Sequence, residues 1–104
     1  MNIQSLGRVP VPTPGTPVLF APMTGAQILI TTAANNVGNV YVGVPGMNKT
    51  TGAGVICVLP KITSSSVAAF NPIVMTGQDA LYLAEFAIDA DTAGDGAYVS
   101  VLTS

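Results

Sequence analysis

Three carboxylates stand within seven residues near the end of the chain: Asp89, Asp91 and Asp95, with Gly94 and Gly96 among them. Such spacing suits either a bound cation or a tight turn. An EF-hand-type calcium loop needs oxygen ligands at alternating positions and a closing glutamate. Ala93 stands at the third ligand position, and no glutamate closes the loop. Asp89, Asp91 and Asp95 are therefore a weak calcium candidate. The favoured reading is a hairpin turn, with Gly94 and Gly96 supplying positive φ and the Asp side chains bonding the local backbone. Glu85 with Asp89 or Asp79 is the one carboxylate pairing that could run a hydrolysis. No tryptophan and only three tyrosines are at hand to line a substrate cleft beside it. The chain has no histidine, so every mechanism that needs an imidazole is excluded. Cys57 is the only cysteine and lies in the apolar run Val55-Ile56-Cys57-Val58-Leu59. It reads as a small packing residue, with no second thiol for a disulfide and no histidine to share a metal. Gly52-Ala53-Gly54 lacks the lysine of a phosphate loop. Tyr41, Tyr82 and Tyr98 could stack on sugars, but their spacing favours packing. The expectation is no catalytic residue, no cofactor and no enzyme activity.

The composition agrees. A chain of 104 residues fits one domain. Only 8% of it is charged, against a usual ~25%. Over the roughly 5,400 Å² surface of a folded chain this size, that is about one charge per 700 Å². Arg8, Lys49 and Lys61 are the only cations, too few to neutralise a phosphate backbone, so nucleic acid is not an expected partner. An apolar fraction of 49% argues against disorder. No apolar run reaches the ~18 residues of a membrane helix, and the N-terminus lacks the apolar stretch of a signal peptide. So uncharged a surface is expected to be made partly of small polar residues (Thr, Ser, Asn and Gly), which suit β-structure. In part it is expected to be buried permanently in an assembly, because obligate interfaces are depleted of charge.

The elements that must hold these residues are strands. Pro10, Pro12, Pro14, Pro17 and Pro22 punctuate residues 1–22, which read as an extended arm with a short edge strand at Pro17–Phe20. Val9, Val11, Val18, Leu19 and Phe20 in that arm need cover, from their own domain or from a neighbouring subunit. They are the candidate interface residues. Residues 23–104 form the domain proper. Gln27–Thr32 and Val40–Val44 read as strands around the turn cluster Asn35–Asn39. Val55–Leu59 is apolar on both faces and is expected to be central. Val67–Phe70 and Pro72–Met75 are expected as short strands and Thr76–Asp79 as a turn. Strand is expected for at least Glu85–Asp89, then a turn to Gly96 and a last strand at Ala97–Leu102. The predicted core is Ile28, Ile30, Val40, Val42, Ile56, Val58, Phe86, Ile88, Val99 and Val101. Short strands with regular turn signals imply an all-β fold, an antiparallel β-sandwich or jelly-roll-like barrel.

Several motifs then carry a family likeness. Ser5-Leu6-Gly7-Arg8-Val9, Pro14-Gly15-Thr16-Pro17-Val18, Asn36-Val37-Gly38-Asn39-Val40-Tyr41-Val42-Gly43 and Met47–Val55 resemble segments of small tailed-bacteriophage virion proteins. Phe86–Asp91, Gly94-Asp95-Gly96 and Val99–Leu102 resemble their closing hairpin. Val37 departs from the usual threonine and Ala87 from the usual aromatic. The likeness covers most of the chain apart from residues 60–80. It implies a head decoration, or cement, protein: a β-sandwich or jelly-roll homotrimer on the outer capsid surface, made in the host cytoplasm and bound to the major capsid protein. A competing implication is a fibre, neck or tail accessory module that touches host glycans.

Overall fold

The computed structural model describes residues 2–20, 22–33, 36–60 and 73–103. The chain runs β1 (Asn2–Pro10), β2 (Val18–Leu19), β3 (Thr24–Thr32), β4 (Val40–Asn48), β5 (Ala53–Leu59), β6 (Ile73–Tyr82), a single 3-10 turn (Leu83–Glu85), β7 (Ala87–Ala90) and β8 (Gly96–Thr103). These make two four-stranded sheets, ordered β1-β8-β3-β6 and β2-β7-β4-β5. Every pairing is antiparallel. The all-β expectation holds.

Alternation drives the packing. Ala97, Val99 and Val101 on β8 are buried, while Tyr98 between them is exposed. Ile28 and Ile30 on β3 and Val40 and Val42 on β4 repeat the pattern, and Ile88 on β7 and Leu59 on β5 join them. Side chains of both sheets meet in one buried cluster. Of the ten predicted core residues, Ile28, Ile30, Val40, Val42, Ile88, Val99 and Val101 are fully enclosed, and Phe86 packs against them.

Ile56 and Val58 depart from the prediction, at 51% and 44% exposed. The reason is position. Among the described residues β5 is not central but ends its sheet, paired with β4 alone. The strand buried on both faces is β7, all four residues of which are enclosed. β4 and β2 flank it, and the segment after β1 lies over Asp89. The expected turn at Thr76–Asp79 lies within β6. Its pairing with β3 jumps from Gln27↔Thr76 to Gly25↔Leu81, so residues 77–80 oppose Ala26 alone. Glu85 closes the 3-10 turn, and the strand expected from it begins two residues later, at Ala87. The strand expected at Val67–Phe70 lies outside the described residues, as does the start of Pro72–Met75.

Residues 2–10, expected as part of an extended arm, form a strand that lies on their own domain. β1 pairs with β8 from Asn2↔Thr103 to Pro10↔Gly96, joining the two ends of the chain. The prolines did not prevent this, because Pro10 ends an edge strand, where a missing N–H costs no ladder bond. A register shift between Ser5 and Gly7 accommodates a bulge, with Gly7 at φ +71°. Val11 and Phe20 are buried in their own chain's core, and Val9 and Val18 pack against it. Only Leu19 of the five candidate interface residues is exposed, at 53%. Residues before and after position 22 thus share one buried cluster.

Candidate functional site

The acidic cluster lies where β7 leaves one sheet and β8 enters the other, and its three carboxylates do three separate jobs. Asp89 sits on β7 and is 1% exposed. Its Oδ1 accepts the Gly15 N–H at 2.9 Å and the Ala90 N–H at 2.8 Å. That bond fastens the proline-rich segment after β1 over the sheet. Asp95, 3% exposed, accepts the Val37 N–H at 3.0 Å and the Gly38 N–H at 2.7 Å. It holds the turn between β3 and β4. Asp91 faces solvent, where the Tyr41 hydroxyl donates to it at 3.0 Å and the Lys49 ammonium pairs with it at 3.2 Å.

Backbone groups complete the junction. Val11 N–H donates to the Asp95 carbonyl and Gly94 N–H to the Val11 carbonyl, both at 2.8 Å. The Arg8 guanidinium donates to the Gly94 carbonyl at 2.6 Å. Asn36 bonds Gly96 in both directions, its Nδ2 donating to the carbonyl at 2.7 Å and its Oδ1 accepting the N–H at 3.0 Å. The side-chain amide thus mimics a strand neighbour. Gly94 has the expected positive φ, at +88°. Gly96 does not. It is glycine because a Cβ there would run into the Val9 carbonyl oxygen of β1.

Among the described residues, no three acidic, cysteine or histidine side chains group as metal ligands. The calcium candidates Asp89, Asp91 and Asp95 bind backbone N–H groups, a hydroxyl and an ammonium instead of converging on one point. Glu85 is exposed, whereas Asp89 is buried under Gly15; the side chain of Asp79 lies outside the described ones. Cys57 is half-buried, and burial pushes its thiol pKa up. An open cleft of about 310 Å³ adjoins the junction, lined by Pro14, Gly15, Asn48, Lys49, Thr50 and Asp89 among others. Asn48 Oδ1 shapes its wall by accepting the Thr50 and Thr51 N–H groups. Of the junction residues, sequence reasoning missed Arg8, Asn36 and Lys49. Asn36 gave a signal only as part of a turn cluster; its partner, Gly96, is sixty residues away.

Burial and the hydrogen bond to Asp91 raise the pKa of Tyr41. The folded chain thus holds this phenol proton more tightly than the unfolded chain. Stability declines as pH climbs from the unfolded tyrosine value to the folded one. Asp91→Asn will lower the Tyr41 midpoint, because both the hydrogen bond and the negative charge that raise it are removed. The measurement is ultraviolet phenolate absorbance against pH, with Tyr41→Phe identifying the signal. A midpoint unmoved by Asp91→Asn contradicts the assignment.

No protein-family model, curated protein or solved structure matches the chain.

Proposed function

We propose that this chain is a non-catalytic structural subunit: a capsid decoration, or cement, protein of a tailed bacteriophage. It binds the major capsid protein on the outer surface of the virion, after synthesis in the host cytoplasm, and bridges neighbouring capsomers. The observation that carries this reading is where charge and apolar surface lie. Two of the chain's few carboxylates and the Arg8 guanidinium pin its own loops and strands. The surface meanwhile carries Ile3, Leu19, Val37 and Ile56, each more than half exposed. Such a molecule is stiff inside and adhesive outside. Many modest contacts, multiplied by effective concentration on a lattice, would resist outward pressure on the shell.

Strand order supports a jelly roll. β1 pairs with β8, β2 with β7, β3 with β6 and β4 with β5. That is the pattern of one long hairpin folded over itself into two sheets, the architecture of many capsid domains. The family resemblance implies a homotrimer.

A glycan-binding fibre, neck or tail module is the second reading. The polar cleft lined by Asn48, Lys49 and Thr50 favours it. Stained gels of purified particles separate the two. A decoration protein gives a band comparable in copy number with the major capsid protein. A trace band overturns the decoration reading and favours the adhesin.

A further inference from the structure

Each sheet has two outer strands, and three of the four are guarded against pairing with another molecule. β1 carries a bulge, Arg8 and Pro10. β2 is two residues long and follows Pro17. β6 contains Asp79 and the excursion of residues 77–80. Short length, charge, proline and bulges are the usual means of blunting a sheet edge.

β5 differs. Its seven residues, Ala-Gly-Val-Ile-Cys-Val-Leu, hold no charge and no proline. Among the described residues it is hydrogen-bonded on one side only, to β4. Pairing passes from Val42↔Cys57 to Gly43↔Val55, leaving Ile56 as a bulged extra residue that is turned outward. A second register shift, where residues 44–47 oppose Gly54 alone, lies at the start of β5; the bulge at Ile56 adds exposed apolar surface beside Val58.

We propose that β5 is a self-pairing edge whose partner is β5 of a second copy, running antiparallel across a two-fold axis at Cys57. What fits a strand edge is another strand. An identical, uncharged strand approaches with no like-charge repulsion. The register follows from the exposed side chains. Centred on Cys57, each Ile56 stands opposite the other copy's Val58, and each Val58 opposite the other Ile56. One contact covers both exposed apolar residues, and the interface is self-complementary, as a two-fold interface must be. The two Cys57 residues then face each other with Cβ atoms about 5 Å apart. The contact joins two four-stranded sheets into one of eight. It rests on the reading of the chain as self-associating and not on the capsid. It takes two copies, where the family resemblance implies three.

The test is light scattering on the full chain at micromolar concentrations, beside Ile56→Lys/Val58→Lys and Cys57→Ser. The expected result is twice the monomer mass for the native chain and the monomer mass for the double lysine variant. Both lysines replace half-exposed residues, so circular dichroism should find the fold intact. If the double variant does not fold, Val58→Lys alone gives the readout. Mild oxidation above neutral pH should link native dimers through Cys57, a product absent in Cys57→Ser. A native monomer, a native trimer, a folded lysine variant that keeps the native mass, or a dimer that oxidation does not link would each overturn the proposal. The virion reading is decided separately, by copy number in purified particles, so either can fail alone.

Discussion

Deleting residues 1–11 will abolish cooperative unfolding. Were this segment a strap that reaches onto a neighbour, its removal would leave the domain folded and change only its association. The ladder argues otherwise. β1 covers β8 over eight paired positions, from Asn2↔Thr103 to Pro10↔Gly96. Its loss strips one side of the strand that carries Ala97, Val99 and Val101 into the core. Val11 goes too, a fully enclosed side chain whose burial alone is worth roughly 1.5–3 kcal/mol. The bonds from Arg8 to Gly94 and between Val11 and the Gly94–Asp95 backbone go with it. Small domains have about 5–15 kcal/mol in hand, so these losses together exceed what the chain can sustain. Thermal unfolding followed by circular dichroism checks this. The shorter deletion of residues 1–3, which removes exposed Ile3 and the two terminal pairs of the ladder, should cost less than about 1 kcal/mol by the usual scale of surface changes. A truncated chain 12–104 that melts sharply near the native temperature would restore the arm.

Asp95→Ala will cost about 3 kcal/mol. Hydrogen bonds to a charged acceptor contribute roughly 1.5–3 kcal/mol, and a buried donor left alone costs its full desolvation. Here two backbone donors, on Val37 and Gly38, lose one carboxylate that is 3% exposed. In a domain of this size the melting temperature should fall by about 15 °C. Asp95→Asn retains one acceptor oxygen and should lose about half as much, judged by the same scale. Asp91→Ala is the control. That carboxylate is a surface partner of Lys49 and Tyr41, and its loss should cost less than about 1 kcal/mol. Equal destabilisation by Asp91→Ala and Asp95→Ala would contradict the division of labour at the junction.

Sequence alone determined the class of fold and much of the core. The signal at Ile28, Ile30, Val40, Val42, Val99 and Val101 is period-two alternation, which is local: each residue's face follows from its immediate neighbours. The turn at Gly94 was legible for the same reason, since a positive φ is a property of one residue. Tertiary structure alone decided which strands lie where. Val55–Leu59 reads like a central strand, yet nothing within it says that β4 will cover one edge only. Residues 2–10 read as an arm because their prolines are visible, while their partner is at the opposite end of the chain. The same distance hid the use of the acidic cluster. Asp89, Asp91 and Asp95 look alike in sequence and differ because Gly15, Lys49 and the Val37–Gly38 backbone arrive from three other segments. Local conformation is set by local sterics, but a polar side chain's role is set by what non-local pairing carries to it.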